Sequence, residues 1–494
     1  MAAVVRALLV WVAVVFVAAW WSGGVGVQAL RTCSPTSLGE LKLFLQSSDC
    51  EGFGLVAVDL TQTTAEQADE LVPLMVDSEH LEALSMVRTG VNANVMQMLA
   101  KAIRAGARLQ VLDLSHNPLD EDSVSLLADG VKASTHLWRL NLINCHLTDA
   151  AVTLLTVAMN DAPKALTHLN FFHNSITERG AALLAATLTA RRSIEFLDVG
   201  MNPLGDAGVG ALSRLLHACP SLESLSISGV QAGLQGAQQL AGSLASSSSL
   251  KHLSFSKNYG LGPEGGHAFG TRLRTATNLE YLDLSMCSLG DQGVAAVLDG
   301  LRDSTKLKRL LLALNDATTN LDVAPFIITH PALEVLDLSH NRFDDAWCIG
   351  LVNSLQASAC HFETALRALR LTKTGVSQQC TDQLEKVYEG LPCTSHANSD
   401  EHCSADTDEC EEAADEGSKY KLVQTELVAL LAQSRLESCL VPLANAGVTS
   451  KEQLKANCCG QRRACVHRLE LPLSSKAETQ RWETVMNTLC SELE

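Results

Sequence analysis

Sixteen cysteines and fifteen histidines are the side chains of this 494-residue chain best suited to chemistry, and their spacing limits what that chemistry can be. Cys458, Cys459, Cys465 and His467 crowd together near the C-terminus, but without the paired C-x-x-C knuckles that build a tetrahedral zinc site, so no metal is expected there. Asp406 and Asp408 open a calcium-loop pattern that fails at Cys410 and Glu411, where a third oxygen ligand and a turn glycine are required. No H-E-x-x-H, G-x-S-x-G or G-x-x-x-x-G-K-S/T occurs, and no G-x-G-x-x-G opens a helix after a strand. These absences predict a chain that is not an enzyme and holds no cofactor. What remains is recognition chemistry, for which Trp138, Arg139, His168, Phe172, His173 and Phe196 are the right residue types. Aromatic rings and guanidinium groups bury much area while freezing few torsions, which is what protein-binding hot spots exploit.

An internal repeat is what would bring those six together. Segments such as LQVLDLSHNPL from Leu109, LWRLNLINCHL from Leu137 and LEYLDLSMCSL from Leu279 all fit L-x-x-L-x-L-x-x-N/C-x-L. Twelve units start at Phe53, Leu81, Leu109, Leu137, Leu166, Ile194, Leu222, Leu250, Leu279, Leu307, Leu333 and Leu366, most of them 28 or 29 residues apart. Within each unit the apolar period changes from 2 to 3.6, as in LNLINCHL followed by TDAAVTLLTVAMN. Each unit is therefore predicted to be a short strand, a turn and a helix. Asn117, Cys145, Asn174, Asn202, Asn258, Cys287, Asn315 and Asn341 fill the ninth position, where an inward side chain can bond backbone groups that the turn leaves unpaired.

This pattern resembles the ribonuclease-inhibitor-like class of leucine-rich repeats over roughly residues 53–390. The resemblance implies an α/β horseshoe of about twelve repeats, with a parallel sheet on its concave face, helices on its convex face and a cap at each end. Cys33 and Cys50, just before the first unit, look like a disulfide-closed N-cap over residues 30–52. Cys145, Cys219 and Cys287 lie too many repeats apart to pair with one another.

In that geometry the third, fifth and seventh template positions point off the sheet. Position three supplies Arg139, His168 and Phe196 in successive strands roughly 4.8 Å apart, with Trp138, Phe172 and His173 beside them. A weaker second group is His252, Lys257, Tyr281 and Arg309. Position five, which includes Asp113, Asn141, Asn170, Asp198, Asp283 and Asp337, is polar and mildly acidic and is expected to be a solvated face.

The ends differ from the middle. Arg6 followed by the apolar run Ala7–Trp21 and the small residues up to Val27-Gln28-Ala29 predicts a secretory signal over residues 1–29, placing the rest in the lumen or outside the cell. The alternative is an uncleaved membrane anchor through residues 7–29. Residues 394–418 hold nine acids and neither Lys nor Arg, which predicts an acidic linker carrying half of the net charge of −18. From Lys419 to Glu494 an apolar-periodic region resembles a SAM-like helical bundle through GVTSKEQLK and LELPLSS…VMNTL, with an unusual CCGQRRAC insert. Such bundles generally self-associate or bind other proteins.

Composition narrows the function classes. Aromatics at 4% and hydrophobic residues at 47% suit stacked aliphatic repeats rather than a disordered chain. The acidic balance argues against nucleic acid, which needs a basic face. The expectation is a protein-binding scaffold of the secretory pathway. Alternatives are a GTPase-activating or other regulator of the same repeat class, or an inhibitor enveloping a secreted, basic enzyme.

Overall fold

The computed structural model describes residues 32–47, 52–54, 58–163, 166–357 and 365–389. The chain divides into two compact units, Met1–Ala397 and Asn398–Glu494. The second unit, with the expected SAM-like bundle, lies outside the described residues, as do the signal segment and the acidic linker.

Thirteen strands form one parallel sheet in strict sequence order. They are β1 Thr32–Cys33, β2 Gly52–Gly54, β3 Ala83–Ser85, β4 Val111–Asp113, β5 Arg139–Asn141, β6 His168–Asn170, β7 Phe196–Asp198, β8 Ser224–Ser226, β9 His252–Ser254, β10 Tyr281–Asp283, β11 Arg309–Leu311, β12 Val335–Asp337 and β13 Ala368–Arg370. Position four, the middle of the strand, points into the core: Leu112, Leu140, Leu169, Leu197, Leu225, Leu253 and Leu282 are all buried. Behind the sheet stand helices such as Ala93–Arg104, Glu121–Ala133, Asp149–Asp161 and Glu178–Arg191. Several start on a side chain that accepts an orphan backbone N–H, Asn92 from Val95 and Asp120 from Ser123. Three other helices start on a left-handed glycine, Gly205, Gly262 or Gly290, a backbone that other residues adopt at a cost.

Two details differ from the expected repeat. Gly52 pairs with Ala83 and Phe53 with Leu84, so Phe53 occupies position four and the first unit opens three residues before it, at Cys50. Both frames of FGLVAVDL are apolar, so only strand pairing separates them. The N-terminal cap also adds a strand, since β1 pairs in parallel with β2.

Buried position-nine side chains bind successive units. Asn258 Oδ1 accepts from Val230 N and Ala232 N at 3.0 and 3.2 Å, while its Nδ2 donates to Ile227 O at 3.1 Å and Phe255 O at 2.9 Å. Asn117, Asn174, Asn202, Asn315 and Asn341 make the same kind of bridge one unit back. Cys145 and Cys287 substitute a weaker donor: their thiols point at Leu114 O (3.3 Å) and Phe255 O (3.4 Å), and burial pushes both thiols up to about 12. Position eight is left-handed in unit after unit, at Arg88, His116, Asn144, His173, Met201, Gly229, Lys257, Met286, Leu314, His340 and Lys373. The N–H groups of His116, Asn144 and His173 each bond the next unit's carbonyl at 2.7–2.9 Å, which offsets the roughly 1 kcal/mol that this conformation costs a non-glycine residue.

Cys145, Cys219 and Cys287 are free and buried, as their spacing implies. Cys33 is disulfide-bonded, and Cys50 lies outside the described residues. A further disulfide, Cys348–Cys380, joins helix Asp345–Ala357 to helix Gln378–Glu389 in the last two units. Among the described residues no helix is long and apolar enough to cross a membrane, and no cluster of His, Cys, Asp or Glu could hold a metal.

Four outcomes follow for stability. Asn258→Ala strands two buried donors, Val230 N and Ala232 N, and the Ile227 carbonyl, so urea denaturation should show a loss of about 3 kcal/mol or more, at 1–3 kcal/mol per unsatisfied group. Lys251→Ala, which removes only a part-exposed ion pair with Glu223, should change it by less than about 1 kcal/mol. Replacing Cys348 and Cys380 together by Ala should cost about 3 kcal/mol through freed chain entropy, and unchanged stability would show that helix packing alone holds the end. His330 is fully buried, accepts Leu333 N at Nδ1 (3.1 Å) and is pushed down to about 4 by burial. Because its folded pKa lies below the unfolded value near 6.5, its neutral form supports the fold above pH 6.5 and that support fades as pH falls toward 4. His330→Asn, which keeps an acceptor, should make thermal midpoints between pH 6.5 and 4 less steep than wild type.

Candidate functional site

Strand register assembles the site. Arg139 pairs with His168 and His168 with Phe196, placing the three side chains in a row across β5, β6 and β7. Trp138 precedes β5 and packs edge-on against His168, with ring centroids 4.9 Å apart and planes at 81°. His168 lies flat against Phe196, 5.8 Å away with planes 8° apart. Trp138 is held from the other side, where its Nε1 donates to Gln110 Oε1 at 3.2 Å. Three units thus contribute one continuous strip of rings.

Burial sorts these residues by role. Arg139 is only 9% exposed and Phe196 8%, so position three is a recessed floor here rather than the open surface expected from the template. The cause is strand spacing: neighbours about 4.8 Å apart shield one another when all carry large side chains. Trp138 and His168 are half-buried and form the wall above that floor. Burial, aided by the Arg139 charge, pushes the His168 imidazole down to about 4, so it is neutral near pH 7. Its Nδ1 lies 2.9 Å from Thr167 Oγ1 and 3.9 Å from the Glu195 carboxylate.

Arg139 is the unusual member. Its guanidinium makes no hydrogen bond or ion pair with any described residue; only the charge of Asp113 acts on it at a distance. Asp113 is itself occupied, with one carboxylate oxygen accepting Ser115 N at 2.9 Å and the other Asn141 Nδ2 at 3.3 Å.

Phe172 and His173 form a second group, at the far ends of the strands. The Phe172 ring sits over Gly200, where an added Cβ would stand 3.1 Å from Phe172 Cδ2. Gly200 therefore makes the seat that half-buries Phe172. His173 is exposed on its left-handed backbone, and its Nδ1 donates to Asn144 Oδ1 at 3.0 Å. Asn144 Nδ2 in turn donates to His116 Nδ1 at 3.2 Å, giving an imidazole–amide–imidazole chain across three units.

The position-five row is not a solvated acidic face at its centre. Asp113, Asn141 and Asp198 are buried, and burial raises the Asp198 carboxyl to about 6. Asp113, Asp198, Asp283 and Asp337 each accept the backbone N–H two residues on, at 2.8–2.9 Å, which fastens the end of the strand. In the weaker group around β9–β11, His252 and Tyr281 have centroids 6.2 Å apart, and Lys257 and Arg309 are exposed. Position two carries a row that sequence reasoning passed over: Glu223 bonds Lys251 at 2.9 Å and Glu280 bonds Lys308 at 2.8 Å, one unit apart in each case. The same 28-residue step, applied to position two, would have revealed it.

Known proteins supply matches to the repeats. The family model described as Leucine Rich repeat matches residues 164–185, 192–213, 275–298 and 329–346, and a second, described as Leucine Rich Repeat, matches residues 108–129. No curated protein matches the sequence. Among solved structures, one similar chain is from the crystal structure of the Rad7 and Elc1 complex in yeast, at 20% identity, covering 70% of this chain and 81% of that one with a TM-score of 0.49. Another, from the crystal structure of the TLR13-ssRNA13 complex, is also 20% identical, covers 62% of this chain and 38% of that one, and has a TM-score of 0.38. The matched repeats, the sequential parallel sheet and the helices behind it make this chain an α/β solenoid of leucine-rich repeats.

Proposed function

We propose that the chain is a non-enzymatic protein-binding scaffold of the secretory pathway, built from repeats of the ribonuclease-inhibitor-like kind, that takes its partner on the concave face. The observation that carries this reading is the strip Trp138–His168–Phe196 beside a guanidinium with no partner of its own. The half-buried rings of Trp138 and His168, backed by the buried Phe196, present apolar area with little torsional freedom left to lose, and a solenoid lets several units contribute to one contact surface. The unit length of 28 residues with a full helix supports the subtype. The N-terminal apolar run and the Cys348–Cys380 disulfide support an oxidising compartment. Residues 419–494 are proposed as a SAM-like module for self-association or docking. An inhibitor of a basic enzyme is less well supported, because the carboxylates of Asp113 and Asp198 are spent on backbone N–H groups. A GTPase-activating role requires that the N-terminal run not direct export.

Two measurements test the reading. A C-terminally tagged chain should co-purify a partner that Trp138→Ala loses by about 30-fold or more, the size of a hot-spot truncation, while His252→Ala keeps it; equal retention by Trp138→Ala removes this face as the site. The same tag should be found in the secretory lumen or the medium, and a cytosolic protein would overturn the export and disulfide arguments together.

A further inference from the structure

Resting on the concave-face reading above, we infer that Arg139 is a receptor for a carboxylate: the partner crosses β5–β7 as an extended segment and sets an Asp or Glu side chain against the guanidinium, with apolar neighbours on the rings.

The Arg139 side chain is largely covered, but its nitrogens still reach solvent, so water rather than a protein group meets the charge. A cation with so little hydration left gains from a partner, and the fold supplies none. The nearest acid, Asp113, has both oxygens bound elsewhere, and His168 is neutral near pH 7. One strong, planar, fork-shaped donor therefore faces the concave side with its hydrogen-bonding capacity unused, a geometry suited to bidentate capture of a carboxylate. The strip beside it is apolar, so an acid flanked by aromatic or aliphatic residues fits both features at once.

Charge selects among anions. Glu195 stands near His168, its carboxyl held above the usual range by burial and by Glu223, so a multiply charged group would meet repulsion one strand away. A chain of phosphates needs several cations in reach, and Lys251 is already paired with Glu223. An internal acid also fits better than a chain terminus. The position-three residues on the other side of Arg139 are Val111 and Ala83, too small to stop a segment from running on.

The test uses the full chain and fluorescent blocked pentapeptides followed by anisotropy. One carries a glutamate between two phenylalanines, a second carries glutamine there, and a third is the glutamine peptide ending in a free carboxylate. The glutamate peptide should bind at least tenfold more tightly than either of the others. Arg139→Gln should erase that preference, and Arg139→Lys should weaken glutamate binding about fivefold or more, because an ammonium offers no fork. Arg139→Met should hold or raise the thermal midpoint, whereas a residue with a structural role would lower it. Equal binding of the glutamate and glutamine peptides overturns the inference, as does tighter binding of the free-carboxylate peptide, displacement by a single-stranded oligonucleotide, or a clear drop in midpoint for Arg139→Met. If Trp138→Ala abolishes peptide binding and Arg139→Gln does not, the inference fails and the face survives; if Trp138→Ala leaves the co-purified partner in place, the face itself fails.

Discussion

A side-chain amide in six of the units, from Asn117 to Asn341, ties each of them to the unit before it. Each sharp turn after a strand leaves backbone N–H and C=O groups pointing into a core made of leucine, where no water can reach them. The position-nine asparagine meets both kinds at once, accepting from the preceding unit's turn and donating to carbonyls of that unit and its own, as Asn258 and Asn117 do. An asparagine is suited to this because it carries an acceptor and two donors on a short stem. A leucine core without it would contain a column of unpaired peptide groups, each unfavourable by one to three kcal/mol.

That internal column relieves the outer positions of the task of holding the fold. Positions two, three, five, seven and eight are then set by local needs: ion pairs along position two, strand-end fasteners at position five, side chains on a left-handed backbone at position eight. The proposed site is a place where this freedom is used for rings and a charge. Trp138, His168 and Phe196 stack because the register puts them side by side, and their crowding covers most of the Arg139 side chain, which a less crowded row would leave in solvent. The site is a product of the step between units as much as of its own residues.

The repeat, its strand and helix halves and the inward asparagine were legible because each imposes a period on the chain. Trp138, Arg139, His168 and Phe196 could be placed on one surface by counting in steps of 28 and 29. The burial of Arg139 and Phe196 was not legible, since it depends on how three side chains from distant parts of the chain crowd one another. Asp113 and Asp198 looked like solvent-facing charges for a similar reason: a carboxylate that accepts the N–H two residues on has the same sequence spacing as one that accepts nothing. The frame of the first unit was ambiguous because alternating apolar residues around Phe53 satisfy two registers and only the pairing of Gly52 with Ala83 decides.

Every strand pairs only with its neighbours in sequence, from β1 through β13. Such a sheet behaves as a one-dimensional array, whose stability is a sum of unit terms and nearest-neighbour terms. Disturbances are transmitted from one unit to the next and die out with distance, and fraying starts at the ends, which is where the Cys33 and Cys348–Cys380 cross-links stand. A ligand lying across β5, β6 and β7 would add a second coupling between three adjacent units. It would lengthen the block that opens as one, so that occupancy of the concave face would be felt as slower exchange in the helices on the opposite side.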